Sequence, residues 1–419
     1  MSSAKQARGF YGWRVVHAAF VLGLFGWGLG FYGPPIFLSV IRESRGWPLV
    51  LISAAVSVHF LTGALTGANL PALHRRLGVA CVTRAGAVAM ALGIIGWAVA
   101  GSPWQLFVVA GLTGVGWGTM SAAALNAIVS PWFARGRPAA LGMAYNGGSV
   151  GGIIFSPLWV AAISVLGFPL AATLIAVVMG VTLWLLAGRV FSRTPESMNL
   201  RADGDAHGAP AGRVASPWVK PLPGALLWRD RRFVTLCSGM TLGLFAQIGL
   251  TAHLYSLLVP ALGAQQAGLA MGLVTVMAIA GRTLLGWLMP MGADRRLVGC
   301  GGYLMQLSGS VVLMLAGGTN ILLLLTGVVL FGAGFGSANS FPPLIAQVEF
   351  VPEEVPRVAA LIVGIAQGGY AIAPLAFGLI RVAATPAAGV ALGEAPAVFA
   401  AAALLQGLAI AAFLAGRRR

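Results

Sequence analysis

The chain is 419 residues long, 58% hydrophobic and only 9% charged, with a mean hydropathy of +0.89. Soluble domains carry about 25% charged residues, so this composition excludes a soluble globular fold and implies a polytopic membrane protein. A net charge of +16 would suggest nucleic acid in a soluble chain, but here the placement of the charges gives them another meaning.

Residues 1–8 carry Lys5 and Arg8 and run into an apolar segment with no small-residue cleavage pattern, so they read as a retained leader. Twelve apolar runs follow, at 12–37, 49–70, 79–100, 104–130, 139–166, 168–190, 233–259, 267–290, 297–316, 321–346, 358–382 and 395–415. Most meet the roughly 20-residue length of a spanning helix, and the longer ones imply tilt. The fold class predicted is all-α, with twelve transmembrane helices and both termini on one side. Of the 26 Lys and Arg, Arg42 and Arg45 fall in the first loop of the opposite side, Arg381 near the last, and Arg282 within a span; the other 22 lie on the side of the termini. The positive-inside rule then makes both termini cytoplasmic. Because Arg outnumbers Lys so heavily and Ala and Gly abound, a bacterial inner membrane is the expected location. The basic charge reports topology, and no nucleic-acid partner is expected.

Residues 193–232 form the single long hydrophilic stretch, read as a cytoplasmic linker between halves at 1–192 and 233–419. The halves resemble each other at an offset near 220. His74-Arg75-Arg76-Leu77 matches Asp294-Arg295-Arg296-Leu297, and Gly114, Gly116 and Gly118 match Gly332, Gly334 and Gly336. The Pro138 to Gly148 passage likewise matches Pro356 to Gly369. Three matches in one order indicate two pseudo-symmetric six-helix halves.

Arg282 is the formal charge expected deep in an apolar helix, about twelve residues or roughly 18 Å from the nearest charged loop. A guanidinium at the bilayer centre costs at least ~2.5–3.5 kcal/mol, so it should face a polar cavity. No Asp or Glu lies in any apolar run, which leaves a bound anion as its simplest partner. Its planar fork suits a carboxylate. Tyr32, Tyr145, Asn146 and Gln367 are the favoured neutral residues to orient such a ligand, from a set that also holds Asn126, Gln247, Asn339 and Tyr370. His59, His253 and His17 are candidates to carry a coupling proton. Gly147-x-x-x-Gly151, Gly148-x-x-x-Gly152 and Gly364-x-x-x-Gly368 should permit close helix approach. Cys81, Cys237 and Cys300 have no ligand spacing, so neither metal nor cofactor is expected.

Two six-span halves in a parallel repeat resemble the major facilitator superfamily. Arg75, Arg76, Gly78 and Arg84 resemble that family's signature after its second helix, with His74 where an acid is usual. A second copy keeps Gly286, Asp294, Arg295 and Arg296. The resemblance makes Arg75, Arg76, Asp294, Arg295 and Arg296 a cytoplasmic gate. Within the superfamily, Tyr11-Gly12-Trp13-Arg14-Val15-Val16, the Trp132 to Gly142 passage and Gly281-Arg282-Thr283-Leu284-Leu285-Gly286 are similar to the monocarboxylate and oxalate/formate carrier branch. That branch's acid four residues before its helix 8 Arg is absent, the position being Ala278, and Gly33 stands near its helix 1 Lys. An acid–Arg proton switch is therefore not carried over.

The expected function is secondary transport of a small organic anion, a monocarboxylate foremost, by alternating access. The protein would act as a monomer in the bilayer, with symport if a His supplies the proton. Export of anionic or neutral amphiphiles is the alternative. An enzyme is not expected, because the spans hold no Asp or Glu and only scattered His.

Overall fold

The computed structural model describes residues 10–204, 224–288, 293–338, 341–351, 353–384 and 395–417. The leader, the middle of the linker, Asn339 and the end of the eighth apolar run lie outside these residues. Among the described residues there is no strand. Among them, twelve helices are long and apolar enough to cross a membrane. They are α1 (Tyr11–Arg45), α2 (Leu49–Leu77), α3 (Val79–Val99), α4 (Pro103–Trp132), α5 (Arg137–Leu166) and α6 (Phe168–Phe191). The rest are α7 (Arg231–Leu262), α8 (Ala264–Leu285), α9 (Arg295–Leu315), α10 (Ile321–Ala338), α11 (Arg357–Ala383) and α12 (Pro396–Ala415). Helix is the solution that satisfies every backbone group within one segment, which a hydrocarbon environment requires. The reversals from α5 to α6 and from α7 to α8 each use one glycine, Gly167 at φ +74° and Gly263 at φ +77°. Both have ψ near the extended value, a region essentially closed to side-chain-bearing residues.

The chain divides into two compact units that do not follow chain order. The first takes Met1–Gly33, Thr62–Phe155 and Ala162–Trp218; the second takes Pro34–Leu61, Ser156–Ala161 and Val219–Arg419. Thus α1, α2 and α5 each contribute to both. Two of these divisions coincide with helix-disturbing residues. In α1 the helix widens into a π turn over Gly26–Phe31, followed by Pro34-Pro35. In α5 the change falls at Ser156-Pro157.

In the first unit, α1 and α5 meet backbone to backbone. A Cβ on Gly147 would collide with the Phe20 carbonyl, and one on Gly151 with the Leu24 carbonyl. Without a hydrophobic driving force between helices in lipid, such close van der Waals contact is what holds them together. The expectation for Gly364 and Gly368 is not met, since a Cβ on either would touch nothing within 4 Å.

The start of the linker folds back on this unit. Asp203, in the left-handed region at φ +62°, accepts from the backbone N–H groups of Ala134 (3.1 Å), Arg135 (2.8 Å) and Gly136 (3.2 Å). Those amides precede α5, so the carboxylate caps that helix from 67 residues away. Burial pushes the Asp203 carboxyl up, but the three amides and the nearby Arg135 guanidinium outweigh it and hold the group below its ordinary range. A carboxyl lowered in the folded state stabilises fully above the unfolded value, and that contribution is lost as pH falls through the folded one.

Two outcomes follow. Gly147→Ala should lower thermal stability by about 1–3 kcal/mol, whereas Gly142→Ala, at an exposed position with open space, should stay within about 0.5 kcal/mol. Asp203→Ala should lose about 1 kcal/mol near neutral pH, as other lost caps do. In melting curves taken at decreasing pH, its deficit against the unaltered chain should shrink as the carboxylate protonates and vanish below the ordinary carboxylate range.

Candidate functional site

Arg282 lies on α8, where that helix packs against α10. A Cβ on Gly281 would strike the Ala333 carbonyl, and one on Gly336 would strike that of Ala278. The Arg282 Cβ lies 3.2 Å from the point a Gly336 Cβ would occupy. The glycines of α10 therefore let the two helices close on one another and set the root of the Arg282 stem against α10. The residue is half-buried, less enclosed than two other arginines described below.

α7 precedes α8 through the Gly263 reversal, so depth in one helix can be matched to the other by counting from that turn. Thr251 and Thr275 are level, and Gln247 falls about three residues, or roughly 4.5 Å, from the level of Arg282. Gln247 is wholly buried, yet neither its amide oxygen nor its amide nitrogen has a hydrogen-bond partner among the described residues. The buried Thr275 hydroxyl is in the same position. Leaving a buried polar group unsatisfied costs about 1–3 kcal/mol, which marks both as groups able to receive a polar ligand.

Of the favoured neutral residues, Gln367 is half-buried on α11 and belongs to the same unit. Tyr32, Tyr145 and Asn146 belong to the other. Tyr32 is 4% exposed and follows the π turn, its N–H donating to the Trp27 carbonyl at 2.9 Å. Its ring packs edge-on to Phe31 at 4.9 Å. Tyr145 is half-buried, with its hydroxyl 3.5 Å from the Ala122 carbonyl oxygen, and Asn146 is exposed. The histidines separate by environment: His17 is exposed on α1, while His59 and His253 are fully buried. His253 Nε2 lies 3.0 Å from the Pro374 carbonyl oxygen, whose need for a donor fixes the proton on that nitrogen.

The residues assigned to a gate behave differently in the two units. Arg75 and Arg76 are exposed at the end of α2. Asp294 caps α9 through the Arg296 N–H at 2.9 Å and pairs with Arg417 at 2.7 Å. Burial pushes the Asp294 carboxyl up, but Arg417 and the α9 amides hold it below its ordinary range. Arg295 donates to the Leu344 carbonyl at 2.8 Å. Arg296, only 1% exposed, makes a fork to both Glu349 oxygens and also donates to Thr235 Oγ1, the Phe413 carbonyl and the Arg232 carbonyl. One guanidinium thus ties α7, α9, α12 and the short helix Phe341–Glu349 together. A second deeply buried arginine, Arg381, ends α11 rather than entering a loop; it is 2% exposed and donates to Ser256 Oγ at 2.6 Å. It lies near the last loop, as its place in the sequence implies, and its burial is what the sequence does not show.

The sequence profile of the Major Facilitator Superfamily matches residues 18–374. The chain belongs to that superfamily. It is accordingly a multi-pass membrane transporter with the major facilitator fold. Solved structures agree on the fold. A mutant of the nucleoside transporter NupG is similar, with TM-score 0.71 and 15% identity over 96% of this chain and 100% of that one. A second NupG structure gives 0.69 and 14% over 97% and 98%. A bacterial homologue of the human lysosomal transporter Spinster, inward-facing and unoccupied, gives 0.68 and 16% over 97% and 94%. No curated protein matches the chain. At these identities the likeness is one of fold.

In thermal unfolding, Arg296→Ala should cost about 3–5 kcal/mol, because it strands the Glu349 carboxylate and several buried acceptors at once. Arg75→Ala, by contrast, should change stability by no more than about 0.5 kcal/mol.

Proposed function

We propose that this superfamily member carries a small organic anion, a monocarboxylate foremost, with Arg282 as the residue that binds the carboxylate. The observation that carries the reading is the pairing, at nearly one depth of α7 and α8, of a half-buried guanidinium with a buried amide that has no partner among the described residues. The guanidinium supplies two parallel donors to the carboxylate oxygens. The Gln247 amide, offering both donor and acceptor, suits a hydroxyl or keto group next to the carboxylate. Tyr32, Tyr145, Asn146 and Gln367 are proposed as further residues that orient the ligand.

The transport cycle proposed is alternating access between two halves, residues 1–192 and 233–419, joined by the linker 193–232. Both termini would be cytoplasmic, because 22 of 26 basic residues flank the spans on the terminus side, and the excess of Arg over Lys with much Ala and Gly supports a bacterial inner membrane. A coupling proton, if one is used, is assigned to His253 or His59, which are buried, ahead of His17, which is exposed on α1. The protein is proposed to work as a monomer.

Melting temperatures of purified protein across a panel of short mono- and dicarboxylates test this. A ligand at a hundred times its dissociation constant should add about 2.7 kcal/mol to the stability of the unaltered chain. Arg282→Ala should abolish the response, and Gln247→Leu should weaken binding of hydroxy and keto acids by about tenfold while sparing the unsubstituted acid. An equal response from Arg282→Ala would refute the assignment. Nucleosides belong in the panel, because the similar NupG structures bear that substrate class in their name.

A further inference from the structure

We infer that the furrow between α3 and α6, at the end where α3 begins and α6 stops, is a binding site for one anionic phospholipid, with Arg84 as the residue that holds its phosphate. Arg84 stands in the second turn of α3, and its side chain crosses to α6, where the guanidinium lies over the Trp184 ring at 4.8 Å. A Cβ on Gly188 would collide with Arg84 Nη2, so the guanidinium lies against the α6 backbone in a notch that only glycine leaves open. The helix widens into a π turn at that place, over Ala187–Phe191. A ring face attracts the cation but accepts none of its in-plane N–H donors. Arg84 Nε is buried with no hydrogen-bond partner among the described residues. The group therefore asks for an oxygen-rich anion.

The surroundings select an amphiphile. Arg84, Val88 and Leu92 follow one another at spacings of four along α3, and Val181, Trp184 and Gly188 at three and four along α6, so each set forms one stripe of its helix. Val88, Leu92, Val181 and Trp184 are each about half exposed. An apolar furrow topped by a guanidinium takes acyl chains below and a phosphate above. The depth agrees: Arg84 lies five residues from the start of α3 and Gly188 three from the end of α6, roughly 7 and 5 Å. A headgroup layer roughly 5–8 Å thick meets hydrocarbon at that level. Charge selects the headgroup. Arg14, Arg189 and Arg193 are exposed at the same end. Arg14 and Arg193 share the Tyr11 ring, at 6.0 and 5.4 Å, and the Tyr11 hydroxyl donates to the Arg189 carbonyl at 3.0 Å. The first unit holds twelve Arg and Lys against three acids, and one of the three, Asp203, is taken by the α5 cap. No ion pair joins Arg14, Arg84, Arg189 or Arg193 to an acid among the described residues. A headgroup with net negative charge is attracted by all four, whereas one that carries its own ammonium is not. The site lies wholly in the first unit and uses neither Arg282 nor Gln247, so it stands or falls independently of which solute is carried.

Native mass spectrometry of the full-length protein tests this, with titration by phosphatidylglycerol and by phosphatidylethanolamine of the same acyl chains. The unaltered chain should hold its first phosphatidylglycerol at least about fivefold more tightly than phosphatidylethanolamine. Arg84→Gln should weaken phosphatidylglycerol by about fivefold. Arg75→Gln, which removes an exposed charge from the same end of the unit, should change it by less than about twofold. Gly188→Ala keeps every charge but pushes the guanidinium out of its notch, and should weaken phosphatidylglycerol in the same direction as Arg84→Gln. It displaces only the far end of a flexible side chain, so it carries the test if Arg84→Gln does not yield folded protein. Equal retention of the two lipids overturns the inference, as does an unchanged affinity in Arg84→Gln or, failing that variant, in Gly188→Ala. A loss as large in Arg75→Gln also overturns it, since the lipid would then answer to diffuse charge. Release of the lipid by an equal concentration of inorganic phosphate or glycerophosphoglycerol would mark a site for a soluble anion and overturns it as well.

Discussion

Lipid hydrocarbon offers no hydrogen-bond partner, and the organisation of this chain follows from that constraint. It forces the backbone into helices, and it then governs what side chains do. Hydroxyls within the spans turn inward on their own helix: Ser53 to Leu49, Thr66 to Thr62, Thr241 to Cys237 and Thr251 to Gln247, all near 2.8 Å. Each spends its one proton locally and keeps only acceptor lone pairs for a ligand. Against that background the Gln247 amide and the Thr275 hydroxyl stand out with those of Thr83 and Ser156, for they are buried and have no such partner among the described residues.

The same constraint sorts the arginines. Arg296 is deeper in protein than Arg282, yet its position is easily understood, because Glu349 neutralises it and three further acceptors fill the fork. That arrangement is worth little as net stability against an apolar replacement but is costly to break on one side. It acts as a fixed anchor for α7, α9 and α12. Arg282 differs in being half-buried on a helix whose neighbour was trimmed to glycine beside it.

Hydropathy made the twelve spans legible, since runs of that length are tied to bilayer thickness. Their ends were less legible. The first run stops at residue 37 by composition, but α1 continues to Arg45, where Arg42 and Arg45 favour a helix C-terminus and Ser39 bonds Glu43 at 3.0 Å. The charged residues Asp294, Arg295 and Arg296 of the second half were visible as a motif. Their partners were not: Glu349 lies 53 residues from Arg296, and Asp203 lies 67 from Gly136. No local pattern announces contacts at such separations. Arg381 lies near the last loop as its sequence position implies, but its partner Ser256 is 125 residues away on α7 and no local pattern announces it. The glycine faces were read with mixed success, since Gly147 and Gly151 touch α1 while Gly364 and Gly368 touch nothing. Spacing shows that a close approach is possible, and only the neighbour decides whether it happens.

The two ends of the second unit are held by different physics, and that difference bears on the cycle. Toward the termini the fastening is ionic, through Arg296, Glu349, Arg232, Asp230, Asp294 and Arg417. Toward the remote end it is a close fit of small residues with a few neutral hydrogen bonds and Arg381 held by Ser256. Ionic fastenings at a water-facing end weaken with salt and acid, while a steric fit does not. A bound solute shifts the balance between arrangements only by the difference in its affinity for them. The carboxylate proposed for Arg282 would provide such a difference if it were grasped more completely in one arrangement than in the other. Salt should loosen the exposed Asp294–Arg417 pair first and leave the buried Arg296–Glu349 fork and the Ser53–Gly378 contact in place.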